Sequence, residues 1–419
     1  MIEQDIIVIG GGPAGLAAAI AAKEQGIEKI LIIEREESLG GALNQCIHTG
    51  FGHKSMNEAL SGPEYAQMMI DRIEDLDIKC KLGAVAIDLS KDKEVKVVSG
   101  EGITHYKAKA IILAMGCREK PRGAINIPGS KVAGIITVGT AQKFVDLEGY
   151  MPGKQVVILG SGNIGLVMAR RMTIEGANVK AVVELRDYPS GSRKNIKECL
   201  TDFNIPIKLS HTVVDIKGKD RVEGVTIAKV DENKIPIFGT EEFISCDTLL
   251  LSVDLLPENE LSRKAGIIIS NSSKGPEVDE SMQTNIEGIF ACGNVLHLHD
   301  YVDNVADESF HAGMSAALFV LGRRFNKGKL KIIGESGISY IVPKFVNPEN
   351  MSDYIDIKFR VDKFYYNKKI SIYFDDNLEL SLIKNEVIPN EMEYISISKD
   401  IFEKNRHCNK MIIKFEDIN

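Results

Sequence analysis

Two glycine clusters in this 419-residue chain have the spacing that a diphosphate requires. One is Gly10, Gly12 and Gly15, the other Gly160, Gly162 and Gly165, and each follows an unbroken apolar run, Ile6-Ile7-Val8-Ile9 and Val156-Val157-Ile158-Leu159. In this G-x-G-x-x-G pattern the first glycine makes a tight turn, and the second removes a Cβ so that backbone amides approach a pyrophosphate. The third lets a helix pack close to its strand. The helix starts that follow, at Pro13-Ala14 and Asn163-Ile164, add a positive dipole end and the unspent N–H groups of their non-proline residues. An acid stands 24 positions after each first glycine (34 − 10 and 184 − 160), Glu34 and Glu184, each delivered by an apolar strand. Such a carboxylate accepts hydrogen bonds from a ribose diol. With 37 glycines present, a bare match of this spacing arises by chance roughly 0.3 times in such a chain. Strand, turn, helix and acid at one shared offset, twice, mark two mononucleotide-binding halves.

Sulfur and imidazole come next. The seven cysteines (Cys46, Cys80, Cys117, Cys199, Cys246, Cys292, Cys408) are scattered and form no Cys-x-x-Cys pair. That usage points to a reducing, cytoplasmic setting and leaves no four-cysteine cluster for iron–sulfur or zinc. Two readings of Cys46 and His48 stay open. Cys46 could work as a single thiol through a sulfenic acid or mixed disulfide, with His48 as base, or both side chains could simply shape a pocket. Cys117 and Cys292 read as structural thiols. His297, His299, His311, Asp300 and Asp303 have ligand chemistry within one stretch, but no second cluster supports them and no metal is expected.

These residues need elements to hold them. Further apolar runs, Ile111-Ile112-Leu113-Ala114-Met115-Gly116 and Leu249-Leu250-Leu251-Ser252-Val253-Asp254, read as central parallel strands buried on both faces. A third, Gly288-Ile289-Phe290-Ala291-Cys292-Gly293-Asn294, precedes a helical stretch through Ala306, Ala312 and Ala316 and has no counterpart before residue 118. The simplest topology returns it to the first domain. The fold expected is therefore α/β, with two Rossmann-like dinucleotide-binding domains, the second inserted in the first. The first spans 1–118 and 254–330, the second 119–253. From about 335 to 419, the period-two series Ile355-Ile357-Phe359-Val361, Ile370-Ile372-Phe374, Leu380-Leu382 and Ile395-Ile397 predicts a small antiparallel β domain with one buried face.

A net charge of −8 without a basic stripe argues against nucleic acid or an anionic membrane surface as partner. No apolar run approaches a membrane span. The N-terminal residues read as a strand pattern, and nothing there reads as a secretion signal, so none is expected. Small molecules or proteins are the expected partners.

Three strings carry a family resemblance: Gly40-Gly41-Ala42-Leu43-Asn44-Gln45-Cys46-Ile47-His48-Thr49-Gly50-Phe51-Gly52, Met115-Gly116-Cys117-Arg118-Glu119-Lys120-Pro121-Arg122-Gly123-Ala124 and Gly293-Asn294-Val295-Leu296-His297-Leu298-His299-Asp300. Over about residues 1 to 330 the chain resembles the two-dinucleotide-binding-domain flavoproteins, the pyridine nucleotide-disulfide oxidoreductases that include glutathione and thioredoxin reductases. It is most similar to the NAD(P)/FAD-dependent subunit that accompanies anaerobic glycerol-3-phosphate dehydrogenase in many bacteria. More distantly it resembles flavoprotein subunits of hydrogen cyanide synthase and opine oxidases.

The resemblance implies that Gly10, Gly12, Pro13, Ala14, Gly15 and Glu34 hold the pyrophosphate and ribose of FAD, with Arg35 along the adenine end. It also implies Gly40, Gly41 and Ala42 under the flavin-side phosphate, Ala86 near the adenine, and Ala114 and Gly116 closing the site. Gly293-Asn294 would reach the ribityl chain, and the helix after it would aim its N-terminus at the flavin. Gly160, Gly162, Asn163, Ile164, Gly165 and Glu184 would hold NAD(H). An acid at 184 repels a 2′-phosphate and favours NAD over NADP, although Arg186 leaves NADP open. Asp254 stands where relatives have glycine, and its carboxylate could hinder the nucleotide. The family's disulfide reductases use a cysteine pair that this chain lacks. The expected function is hydride exchange between NAD(H) and FAD, with electrons passing to or from a partner dehydrogenase subunit or other acceptor. The alternatives are a self-sufficient NADH oxidase or thiol reductase using Cys46, and a non-catalytic flavin-binding sensor or scaffold.

Overall fold

In the computed structural model, described for residues 1–52, 59–326, 328 and 330–418, the chain forms two compact units. One is Met1–Cys117 with Pro257–Asn419, the other Arg118–Leu256.

The first unit is built on a seven-stranded sheet. The strand Ile2–Ile9 runs parallel to Ile30–Ile33 on one side, with Ile6 opposite Ile30, and to Gly102–Leu113 on the other, with Ile6 opposite Ala110. Lys79–Lys81 adds a parallel strand beyond Ile30–Ile33. Gly102–Leu113 is long enough to serve two neighbours along its other edge. Its first half takes Glu94–Ser99 antiparallel, and its last three residues take Ile289–Ala291 parallel. The chain thus re-enters this sheet after the second unit. Ile6, Ile7, Val8 and Ile9 are all buried, as central strands covered on both faces must be. Each such side chain contributes about 2 kcal/mol of transfer free energy.

The helices Pro13–Glu24 and Val302–Val320 pack against each other. They approach so closely that a Cβ on Gly313 would lie 2.1 Å from the carbonyl oxygen of Ala18, so the small residues of both helices set the contact. The long helix is set back from Asn294. A 3₁₀ turn, Gly293–Val295, comes first, and the helix begins only at Val302.

The second unit holds a five-stranded parallel sheet in the order Ile135–Thr137, Thr248–Leu251, Gln155–Leu159, Asn178–Val183, Ile207–Lys208. Alternation along Gln155–Leu159 divides its core. Val156 and Ile158 face the helix Asn163–Ile174, packing with Leu166 and Met172. Val157 and Leu159 pack on the other side with Val213, Val225 and Ile227 of an antiparallel three-stranded meander.

The C-terminal β domain belongs to the first unit, and it corrects the expectation of a purely antiparallel domain starting near 335. Its first strand is Leu330–Gly334, and it contains two sheets, of five and three strands. The last strand, Lys410–Asp417, lies between Leu330–Gly334 and Tyr365–Phe374 and runs parallel to the former, with Lys331 opposite Lys410. Period two identifies strands and faces but not which strands become neighbours, which is why the parallel pair was missed. In Tyr354–Val361 the residues Ile355, Ile357, Phe359 and Val361 are buried in this domain's core. Among the described residues no helix is long and apolar enough to cross a membrane.

Candidate dinucleotide-binding sites

In the first unit the glycines of the turn divide by what surrounds their missing Cβ. Gly10 has φ +111°, and a Cβ there would lie 2.3 Å from the carbonyl oxygen of Ala114. A Cβ on Gly15 would lie 1.8 Å from the carbonyl oxygen of Gly10, so the helix rests directly on the turn. Gly12 differs: the nearest atom to its Cβ position is the Cα of Gly41, at 3.9 Å. The outer glycines are closed by the protein's own backbone, whereas a Cβ on the middle one would make only an ordinary van der Waals contact. The helix start beside it, Pro13 and Ala14, carries no side-chain cap, which suits an anion as its cap.

Other expected residues gather here. The turn Gly40-Gly41, both with positive φ, is tied to the first by Gly40 N–H donating to the Gly11 carbonyl at 2.9 Å, and Ala42 follows it. Ala114 is buried and donates its N–H to the Ile9 carbonyl. Gly116 has φ +69° with open space around its Cβ position. Gly293 has φ +70°, and a Cβ there would meet the Ala14 methyl at 2.7 Å, so its turn abuts the helix start. Asn294 accepts the His299 N–H on Oδ1 at 3.0 Å, and its Nδ2 is 3.7 Å from the Cys117 sulfur. Buried Glu34 accepts the N–H groups of Gly11, at 2.6 Å, and Glu36, at 2.9 Å. Arg35 is exposed beside Glu36. Ala86 lies in the strand Val85–Leu89 opposite Val97, while Ala84 donates its N–H to the Glu34 carbonyl.

Cys46 follows the 3₁₀ helix Gly41–Gln45, and its thiol donates to the Ala42 carbonyl at 3.2 Å. The His48 ring packs on Phe51, with centroids 5.3 Å apart. Cys292 is fully buried, and burial pushes its thiol up to about 12, so it forms no thiolate near neutral pH.

One group at this site was missed in the sequence. Glu308, fully buried on the long helix, accepts from Gly293 N–H at 2.9 Å, His297 Nε2 at 2.8 Å, His299 Nε2 at 3.1 Å and Lys358 Nζ at 2.7 Å. Burial acts to raise its pKa, but the Lys358 charge and the two imidazoles outweigh burial and hold the carboxyl well below its ordinary value. Burial lowers His297 to about 4, so it stays neutral and donates from Nε2. Among the described residues His297, His299 and Glu308 are the one trio whose donor atoms converge within metal-binding distance. The cation on this carboxylate is the Lys358 ammonium. Asp300 instead pairs with Arg360 at 2.5 Å, and His311 bonds the Glu280 carbonyl.

The second unit repeats the glycine geometry. Gly160 has φ +98°, with a Cβ position 2.1 Å from the Ser252 carbonyl oxygen, and that of Gly165 is 2.6 Å from Ser252 Oγ. The Gly162 position meets nothing nearer than Ser252 Oγ at 3.9 Å. Asn163 Oδ1 accepts from Ser192 N–H at 2.8 Å and Asn195 Nδ2 at 2.9 Å, tying down the loop that follows Glu184, and Ile164 is partly exposed. Buried Glu184 accepts from Ser161 N–H and Arg186 N–H, each at 3.0 Å, from Ser190 Oγ at 3.0 Å and from Ser161 Oγ. The two serine hydroxyls are partners that the spacing of glycines and acids did not reveal. Asp254 takes φ +45°, and its carboxylate pairs with Lys120 at 2.6 Å.

Comparison with known proteins agrees with this architecture. The chain is 26% identical to an alkyl hydroperoxide reductase subunit of Staphylococcus aureus over 317 residues, 75% of this chain and 58% of that protein. It therefore spans little more than half the length of that relative. It is 25% identical to a 34.2 kDa protein in the rubredoxin operon of Clostridium pasteurianum, over 70% of this chain and 89% of that one. Among solved structures, T. acidophilum thioredoxin reductase superposes with a TM-score of 0.64 at 21% identity, covering 77% of this chain and all of that one. An NAD-dependent persulfide reductase from A. fulgidus gives 0.59 at 20%, covering 97% and 77%. The family model described as pyridine nucleotide-disulphide oxidoreductase matches residues 4–335. The chain belongs to that family, whose members use FAD and NAD(P)H.

Proposed function

We propose that this chain is an FAD-dependent oxidoreductase that exchanges a hydride with NAD(H) and passes the electrons to or from a partner subunit or external acceptor. The observation that carries the reading is the uncrowded middle glycine, Gly12 and Gly162, with no atom nearer than 3.9 Å to its Cβ position, set between glycines that close contacts confine, once in each unit. That is the geometry of a diphosphate seat at an uncapped helix start.

The first unit holds FAD and the second, Arg118–Leu256, holds NAD(H). Gly10, Gly12, Pro13, Ala14 and Gly15 seat the FAD pyrophosphate, and Glu34 takes the ribose while Arg35 and Ala86 flank the adenine side. Gly40, Gly41 and Ala42 lie toward the flavin, with Ala114, Gly116, Gly293 and Asn294. In the second unit Gly160, Gly162, Asn163, Ile164 and Gly165 seat the nicotinamide nucleotide, and Glu184 takes its ribose. FAD supplies the redox chemistry, taking up a hydride and returning electrons singly or in pairs. The chain's own residues bind, orient and set the local charge. The finer reading is a role beside a dehydrogenase subunit, of the kind that acts on glycerol 3-phosphate. Its supports are the strings around Cys46, Cys117 and Asn294 and the absence of a Cys-x-x-Cys pair. A cytoplasmic setting fits seven cysteines that form no disulfide.

Anaerobic NADH titration of the FAD-loaded protein tests this reading. Bleaching of the flavin band in proportion to added NADH is expected. Bound FAD that NADH never bleaches, with no nucleotide taken up, overturns it. A second reading is favoured by one observation, the position of Cys46 at the end of the 3₁₀ helix Gly41–Gln45 that the Gly40-Gly41 turn opens. There Cys46, with His48 as base, is the thiol of a self-sufficient reductase.

A further inference from the structure

We infer that the C-terminal β domain is a working part of the flavin site: its Lys358 is a positioning residue that pairs with Glu308 beneath the Gly293-Asn294 turn and so sets the charge that bound flavin meets. The inference rests on the reading of Gly293 and Asn294 as flavin-side residues.

The strand Tyr354–Val361 has two faces with different tasks. Its odd-numbered residues Ile355, Ile357, Phe359 and Val361 are buried in the C-terminal core. Strand alternation turns Lys358 and Arg360 to the opposite face, and there both meet the stretch 293–308. Arg360 Nη2 donates to Asp300 Oδ1 at 2.5 Å and to the Leu298 carbonyl at 3.2 Å, and Asp300 Oδ2 accepts the Met392 N–H at 2.8 Å. This fixes the loop to the domain. Lys358 then reaches Glu308 Oε2 at 2.7 Å, with its side chain 15% exposed and that of Glu308 fully buried.

Glu308 acts directly on the turn. Its Oε1 takes the Gly293 N–H, and the imidazoles it holds belong to the same loop. The His299 N–H in turn fixes the Asn294 amide. A buried carboxylate needs a nearby cation or it weakens every anion around it. The cation here comes from residue 358, outside the family match at 4–335. A flavin that gains negative charge on reduction registers whether this site is a neutral pair, a lone carboxylate or a lone ammonium.

The test compares FAD-loaded wild type, Lys358→Met, Glu308→Gln, the double variant and Lys358→Arg. Each is equilibrated anaerobically with a reference dye, and the reduced-to-oxidised flavin ratio is read spectroscopically. Lys358→Met leaves the carboxylate alone and is expected to lower that ratio about tenfold, ~30 mV for a two-electron couple. Glu308→Gln leaves the ammonium alone and is expected to raise it by a similar factor. The double variant and Lys358→Arg return near wild type. Shifts of the same sign in both single variants, or none, overturn the inference and leave the pair a structural contact. Should Lys358→Met fail to fold, Glu308→Gln must still lie above the double variant, and equality overturns it. Wild-type protein that takes up no FAD overturns the underlying reading as well. Wild type with reducible FAD and an unmoved ratio in the variants overturns only this inference.

Discussion

Gly10 and Gly12 are two residues apart, yet a methyl group at each has opposite consequences. Gly10→Ala places Cβ 2.3 Å from a backbone carbonyl oxygen at φ +111°. It should cost at least about 2 kcal/mol of stability, read by denaturant unfolding of the flavin-free protein. Gly12 has φ −80°, and nothing lies nearer than 3.9 Å to its Cβ position. Gly12→Ala should leave that unfolding curve within about 0.5 kcal/mol of wild type, yet weaken FAD binding at least about tenfold, read by fluorescence titration. Asp254 gives a third expectation. It is a non-glycine residue at φ +45° whose carboxylate is held by Lys120. Asp254→Gly relieves about 1 kcal/mol of backbone strain and removes a negative charge from the second unit, so NADH should bind several-fold tighter. Weaker binding in an NADH titration would show that the ion pair helps to hold the site. Glycines and acids were legible because their spacing is local. The Ser161 and Ser190 hydroxyls on Glu184 were not, because nothing in the pattern of residues 160–190 marks which serines turn inward.

Strands and helices were legible where one period dominates. The runs Ile6-Ile7-Val8-Ile9 and Val156-Val157-Ile158-Leu159 are central parallel strands, and alternation found the C-terminal strands. Alanines 306, 312 and 316 found the long helix, but Glu308 on its buried face was invisible, since its partner Lys358 is 50 positions away. A second buried acid shows the same limit and carries a prediction. Glu280 accepts the Asn347 N–H at 2.8 Å and Asn350 Nδ2 at 2.6 Å, between strands of the C-terminal domain. Burial, and then the charge of Asp279, raise its pKa to about 8, from 4.5 for a free glutamate. The folded state therefore keeps a proton that the unfolded chain releases between these values. This contribution to stability is fully present below the unfolded pKa and is lost as pH rises through about 8. Over the whole interval the loss should be on the order of 5 kcal/mol, roughly half of it above pH 6. Urea midpoints for Glu280→Gln should fall less than those of wild type between about pH 6 and about pH 9. Equal falls would place the titration elsewhere.

The whole molecule repeats one ligand seat in two units, and the repeats are not equivalent. Glu34 accepts two hydrogen bonds, from the Gly11 and Glu36 N–H groups, whereas Glu184 accepts four, two of them from serine hydroxyls. A ribose diol finds more unfilled acceptor capacity at Glu34, so FAD should remain bound through purification while NAD(H) exchanges. Electrons must also leave. The second unit has only Cys199 and Cys246, both buried and both raised by burial, Cys246 to about 11. Neither is placed to form the attacking thiolate of a dithiol pair. On the proposed reading the exit is either the flavin itself, toward a partner or small acceptor, or Cys46. Cys46→Ser decides between them. If the flavin discharges directly, the variant should be bleached by NADH at the wild-type rate and turn over with one-electron dyes within about twofold of wild type. If Cys46 is the exit, flavin reduction survives while turnover with disulfide or persulfide substrates falls by about a hundredfold or more, since a serine hydroxyl offers no thiolate to attack sulfur. The first outcome is expected, because the sequence sets no second cysteine at Cys-x-x-Cys spacing from Cys46 to resolve a mixed disulfide.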